Sequence, residues 1–214
     1  MKSNETMASS IATAKLTYLV GVFDNADVGT SPLYSGRLRL SLLDPETGFW
    51  GNGSFFGDKD ILSIGVGGQA QAHGSSSAAT ATAPAVDKTY AEVNADLLFE
   101  KKMPGGGWVT GEGAYYHYNV LDGNISDSFY LLGAYASPVV GVGNLQPMVR
   151  YQWEKVKSGV GTNPWNLDVA LSYLIKGPAL RVLATYSHTR LGTDATGDAI
   201  TANSIQLGAQ AIFF

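Results

Sequence analysis

The chain has 214 residues, with 26 Gly, 11 Tyr and no Cys, and only 15% of its residues are charged. A cysteine-free chain excludes a disulfide scaffold and thiolate metal sites, and the net charge of −4 excludes a strongly basic nucleic-acid binder. The mean hydropathy of +0.02 is too polar for a helical membrane protein, while the charged fraction is below the about 25% of soluble domains.

Apolar and polar residues alternate in nine segments of the sequence, more weakly at 129–135, and a tenth segment, 108–118, is mixed but rich in strand-forming aromatics. Because successive side chains of a strand point to opposite faces, each segment predicts a strand with one apolar and one polar face. In chain order the predicted strands cover residues 16–22, 35–42, 62–71, 91–100, 108–118, 129–135, 145–154, 166–175, 180–187 and 204–214. We therefore expect an all-β, antiparallel fold of about ten strands, in a single domain over 1–214 with a disordered segment at 1–13.

The last predicted strand indicates the surroundings of the sheet. Ile205 and Leu207 alternate with Gln206 and Gly208, and the strand leads to Phe213. An apolar strand of about ten residues with an aromatic end suits the closing strand of a barrel in a lipid bilayer. The fold prediction is therefore a transmembrane β-barrel.

Charged residues of the predicted strands share the polar face, which would line the lumen of a barrel. A Lys or Arg on the lipid face would cost about 2–4 kcal/mol at mid-bilayer. We predict as pore-lining residues Lys15, Arg37, Arg39, Glu92, Asp96, Glu100, Arg150, Glu154, Asp168 and Arg181. A lumen with both signs has two interpretations, namely transverse ion pairs that brace the wall or a selectivity role.

A soluble β-sandwich also alternates, but it buries its apolar face and turns its charges to water, so alternation alone leaves this fold open. Aromatic residues near the strand ends favour the barrel, because barrels carry aromatic girdles at both interfaces. These residues are Tyr18, Tyr135, Trp153, Trp165, Tyr173 and Tyr186.

The connections alternate in length along most of the chain, as in bacterial barrels with short periplasmic turns and long extracellular loops. The short ones are 101–107, 137–144 and 176–178, and the long ones are 73–88, 120–127, 155–164 and 191–201. Segment 44–60 should be short in this scheme and is long, with Phe49, Trp50, Phe55 and Phe56. It either folds back on the barrel or extends its flanking strands.

Several short motifs resemble the phosphate-selective porin O and P family and its relatives. They are Gly36-Arg37-Leu38, Leu-Asp-Pro-Glu-Thr-Gly-Phe at 43–49, Gly-Asp-Lys-Asp-Ile-Leu-Ser-Ile-Gly at 57–65, Asp-Leu-Leu-Phe-Glu-Lys at 96–101 and Glu-Gly-Ala-Tyr-Tyr at 112–116. The resemblance implies an outer-membrane barrel, sixteen-stranded and commonly trimeric in the family. Family members are longer and begin with a signal peptide, so this chain looks like their C-terminal part.

The predicted function is an outer-membrane porin that passes small polar solutes or ions by passive diffusion, with membrane lipid as its surroundings and the homotrimer implied by the resemblance. Alternatives are a small closed outer-membrane barrel with a structural or adhesive role, and a soluble β-sandwich binding protein.

His73, His117 and His188 form no ligand pair, so we predict no metal. No motif marks a nucleophile, so we predict neither catalysis, cofactor nor nucleic-acid partner. Solute preference, oligomeric state and completeness of the barrel stay open.

Overall fold

The computed structural model describes residues 8–11, 14–24, 31–46, 54–77, 86–119, 125–156, 162–177, 179–193 and 196–212. In these ranges the chain forms one antiparallel sheet, in which the strands follow one another in chain order as a meander. The strands are β1 (Ala8–Ile11), β2 (Ala14–Phe23), β3 (Leu33–Ser41), β4 (Ile61–Ser77), β5 (Val86–Lys102), β6 (Trp108–Tyr118), β7 (Ile125–Ala136), β8 (Asn144–Val156), β9 (Trp165–Leu174), β10 (Leu180–Thr193) and β11 (Ala199–Ala211). None of the described residues belongs to a helix long and apolar enough to cross a membrane.

The all-β, antiparallel prediction is confirmed, and each of the ten predicted strands overlaps one of β2–β11. Strands β4 and β5 are longer than predicted, because their ladder continues beyond a register shift between Gln71 and Ser75. Strand β1 was not predicted. It lies in the segment 1–13 that we expected to be disordered, where residues 1–7 and 12–13 fall outside the described residues. Phe213 also falls outside them.

The described sheet is open. Strand β1 pairs with β2 and β11 pairs with β10, and no ladder joins β1 to β11 among the described residues. The side chains of β11 are almost all exposed on both faces of the sheet. The two edges of the meander are therefore β1 with the uncovered part of β2, and β11.

Burial alternates along the strands in the opposite sense to a water-soluble sheet. In β9, Val169 and Leu171 are 46% and 51% exposed, while Asp168, Ala170 and Ser172 are 3%, 4% and 9% exposed. We call the face that carries Val169 the apolar face and the face that carries Asp168 the polar face. Because the structure describes no second layer, side chains of the polar face are buried by one another and by residues 42–46 and 54–60.

Hydrophobic side chains are buried at one end of the sheet, which we call the short-turn end. This end carries the connections 42–60, 103–107, 137–143 and 175–179. Two clusters lie there, one of Phe55, Ile61 and Leu98 and one of Trp108, Ala136 and Leu174 with Phe56 packed against it. Apart from 42–60, these connections are the short turns that the sequence predicted, and they share one end as expected.

Candidate functional site

The ten candidate pore-lining residues all lie on the polar face. Ladder register places them there, since Arg37 lies opposite Gly67 of β4 and Gly67 lies opposite Asn94 of β5. All ten are buried or half-buried, in contrast to the apolar side chains between them. Their assignment to a pore stays a prediction, but their common face is an observation.

Arg37 and Asp96 form an ion pair that crosses a whole strand. Arg37 belongs to β3 and Asp96 to β5, and two guanidinium nitrogens lie 2.7 Å from the two carboxylate oxygens. Gly65 of β4 lies beneath the pair, and a Cβ atom there would be 2.5 Å from both Arg37 Nη2 and Asp96 Oδ2. The missing side chain at Gly65 therefore leaves the room in which this pair lies.

A second ion pair joins β8 and β9. Arg150 donates from Nε and Nη2 to Asp168 Oδ2 at 2.9 and 2.7 Å, and the two residues are direct ladder partners. Asp168 Oδ1 also accepts from Asn166 and from Ser187. The buried carboxylate thus has a cation and two neutral donors, which compensates its loss of water.

Glu92 is held by neutral donors instead of a cation. Its carboxylate accepts from Gln69 Nε2, from Tyr90 Oη at 3.0 Å and from Asn94 Nδ2 at 2.9 Å.

Near the other edge, Arg181 Nε donates to Gln210 Oε1 at 3.1 Å. Lys15 and Glu154 form no ion pair with the described residues, and the structure does not bring them into these networks.

Glu100 does not face an open space, because it anchors the segment between β3 and β4. This carboxylate is 0% exposed. It accepts from the backbone N–H groups of Phe55 and Gly57, at 3.1 and 2.8 Å, and from the hydroxyls of Ser54 and Thr110, at 2.7 and 3.1 Å. A buried carboxylate with four donors fixes the position of the chain that supplies them.

Arg39 anchors the other part of the same segment. Its Nη1 lies 3.0 Å from Glu46 Oε2, and both side chains are more than nine-tenths buried. Removing one partner of such a pair strands a buried charge and costs about 3–5 kcal/mol. Arg39 and Glu100 therefore hold the described parts of this segment, residues 42–46 and 54–60, against the polar face.

Both alternatives for segment 44–60 hold in part. The β3–β4 ladder continues through backbone hydrogen bonds from Leu42 to Leu62 and from Asp44 to Asp60. Residues 54–57 then fold back onto the polar face, with residues 47–53 outside the described part. Gly57 has φ of 77°, and a Cβ there would lie 3.1 Å from the Trp108 ring, so this turn requires glycine.

The apolar face carries two aromatic levels. One level is a row of residues that pair from strand to strand across β6–β9, namely Tyr115, Phe129, Trp153 and Trp165. The ring centroids of Phe129 and Trp153 are 5.5 Å apart. Nearer the short-turn end, the same face carries Tyr135 of β7 and Tyr173 of β9. Between the two levels, the apolar face of β6–β9 carries no Asp, Glu, Lys or Arg.

Sequence reasoning missed several members of these networks. Glu46 lies in a connection outside the alternating pattern, and nothing in the sequence links it to Arg39. Asn94 is two residues from Glu92, so this contact had a local signal, whereas Gln69 is 23 positions away and no local pattern links it to Glu92. Within the described residues, no three His, Asp or Glu side chains come close enough to hold a metal ion.

Comparisons with known proteins found no matching family model, no matching curated protein and no matching solved structure. The resemblance to the porin O and P family therefore rests on the short motifs alone. The feature that bears on function is the contrast between the exposed apolar face and the buried polar face of the sheet.

We predict that Gly65→Ala separates Arg37 from Asp96, because the new Cβ would take the space of both charged groups. Overpacking of this kind costs about 1–3 kcal/mol, which should lower the urea midpoint of unfolding followed by tryptophan fluorescence. The control is Gly133→Ala on the apolar face, where a Cβ meets nothing within 4 Å. Equal midpoints for the two variants would contradict the bridging role of the glycine.

We predict that Glu100→Gln releases residues 54–57 from the polar face, because an amide cannot accept from all four donors. Amide hydrogen exchange at Phe55 and Gly57 should become about tenfold faster or more, as expected for a lost charged hydrogen bond. Exchange would be measured by mass spectrometry on the peptide that covers 54–60. Glu154→Gln, on the same face in β8, should leave this peptide unchanged, and unchanged exchange in Glu100→Gln would refute the anchor.

Proposed function

We propose that the chain forms the wall of a transmembrane β-barrel in a bacterial outer membrane, where it acts as a porin for small polar solutes or ions by passive diffusion. The observation that carries the proposal is the inverted burial of the sheet. Large apolar side chains such as Leu38 and Leu207 are 50% and 82% exposed, whereas Glu100 and Asp168 are 0% and 3% exposed. Water is a poor solvent for such an apolar face, and hydrocarbon is a good one.

The dimensions of the apolar band support a bilayer as the covering medium. Trp165 and Tyr173 delimit Leu167, Val169 and Leu171 on one face of β9. Their separation is about 27 Å of extended strand at about 3.4 Å per residue. A strand tilt of 35–45° reduces this height to about 20 Å, close to the about 25 Å apolar band of outer-membrane barrels.

The proposal requires that both edges of the sheet are paired in the membrane. Unpaired backbone groups in hydrocarbon cost several kcal/mol each, so lipid-exposed sheet edges do not occur. Strands β2–β11 are ten in number, each of nine residues or more. An even number of antiparallel strands is compatible with bacterial barrel closure.

The ion pairs favour bracing over phosphate selectivity for the candidate residues that form them, namely Arg37, Arg39, Asp96, Arg150 and Asp168. Arg37, Arg39 and Arg150 are each neutralised by a carboxylate. Rings of free cations are what select anions in pores. Solute passage without phosphate preference is therefore the activity we propose, and the trimer that the family resemblance implies stays a prediction.

A closed barrel with a structural or adhesive role is the second candidate, favoured by one observation. Segment 54–57 lies on the polar face, where Phe55 packs with Ile61 and Leu98. These side chains occupy part of the space that a pore would need. The soluble sandwich has no such support, since no described element covers the apolar face.

We predict that Val149→Arg impairs insertion, whereas Met148→Arg, one residue away on the polar face, does so much less. An arginine on the lipid face costs about 2–4 kcal/mol at mid-bilayer, which would be measured by equilibrium urea unfolding in lipid vesicles. A soluble sandwich also buries its apolar face and predicts the same order of the two variants, but it would fold in buffer without vesicles. The order of the variants thus tests which face is covered, and folding of the unmodified chain without vesicles would refute the bilayer as the covering medium.

We predict stepwise conductance when the refolded chain is added to planar lipid bilayers, with a size proportional to bulk salt conductivity. Val149→Arg at equal protein concentration is the control, because it should insert poorly. If protease protection shows that the protein is inserted and no conductance steps appear, the porin is refuted and the closed structural barrel remains.

A further inference from the structure

A cavity of about 240 Å³ lies on the polar face where β2, β3, β4 and β5 adjoin. It lies toward the ends of β2 and β3 that are opposite to the short-turn end. The lining side chains that matter here are Phe23, Ser35, Arg37, Gln69, Glu92 and Asn94. The cavity thus combines an aromatic ring with amide, hydroxyl and charged groups, the mixture found in small-molecule sites.

Two glycines shape the floor of this cavity. A Cβ atom at Gly21 would lie 2.6 Å from the Phe23 ring and 2.9 Å from Ser35 Oγ, and one at Gly67 would lie 3.0 Å from Asn94 Oδ1. The Phe23 ring therefore lies over Gly21 on the polar face. An aromatic ring in this position offers an apolar contact surface in otherwise polar surroundings.

The hydrogen bonds of Glu92 orient the two amides of the cavity. Gln69 and Asn94 both turn their NH₂ groups to this carboxylate, so their carbonyl oxygens remain as acceptors. Arg37 supplies donors on the other side and is already neutralised by Asp96. With Glu92 counted as well, the formal charge of Arg37, Asp96 and Glu92 together is −1.

We propose that this cavity is a binding subsite for a neutral polyhydroxylated solute with the size of one sugar ring. Hydroxyl groups can donate to the amide carbonyls and accept from Arg37, and the aliphatic face of a sugar ring can stack on Phe23. Inorganic phosphate offers mainly acceptors and negative charge, which the carbonyls and Glu92 disfavour. The volume is below the about 300 Å³ of the smallest drug-sized pockets and suits a single sugar ring.

This inference rests on the proposed function, because the cavity would lie in the lumen, but its test does not need a conducting pore. Binding of D-glucose would be followed by saturation-transfer difference NMR on the refolded chain in detergent micelles. We expect saturable transfer to the sugar C–H protons. Equal concentrations of inorganic phosphate should not compete, and neither should tetramethylammonium, which probes a cation site on the Phe23 ring.

Variants locate the bound sugar. Asn94→Ala and Gln69→Ala should each weaken glucose binding about fivefold, the usual effect of one neutral hydrogen bond. The control is Gln152→Ala, on the same face in β8, which should bind as the unmodified chain does. Heat-modifiable gel mobility checks that each variant is folded.

No saturable glucose signal, competition by phosphate or tetramethylammonium, or equal affinity in all three variants would each overturn the subsite. Where a variant fails to fold, glucose binding and the two competition experiments on the unmodified chain still test the subsite. Glucose binding without conductance would uphold the subsite and refute the porin, so the two failures are distinguishable.

Discussion

The burial of charged groups on one face of a single sheet is the constraint from which the other features follow. A carboxylate or guanidinium removed from water must find partners, or the fold loses several kcal/mol. Asp168 binds Arg150, Asn166 and Ser187. Glu100 has three donors from residues 54–57 and a fourth from Thr110 of β6. The polar face thus carries several separate clusters of hydrogen-bonded charged side chains.

Glycine has a matching role on this face. Arginine and glutamate side chains are long, and in a sheet they lie across neighbouring strands where a small residue leaves room. Gly65 beneath the Arg37–Asp96 pair and Gly67 beside Asn94 are such positions. The high glycine content of the chain is therefore in part a steric requirement of its charged residues, and not only a consequence of turns.

Strand positions and faces were predictable because both depend on local alternation. Once residues 166–175 alternate, Asp168 must lie on the face opposite to Val169. Pairing between side chains was not predictable, because it depends on ladder register and on residues far apart in the chain. Arg37 meets Asp96 across 59 positions, and Glu100 meets Phe55 through the return of a connection that carries no alternating pattern. The short strand β1 was missed for a related reason, since four residues are too few to show a period.

The meander itself has a consequence for how such a chain reaches its structure. Each described strand forms ladders only with its neighbours in sequence, so the strands that pair in the described sheet are always consecutive in the chain. Closing a short connection costs little entropy, and each new hairpin finds the preceding one already in place. Assembly of the described sheet can therefore proceed one strand after another, without waiting for a remote part of the polypeptide to arrive.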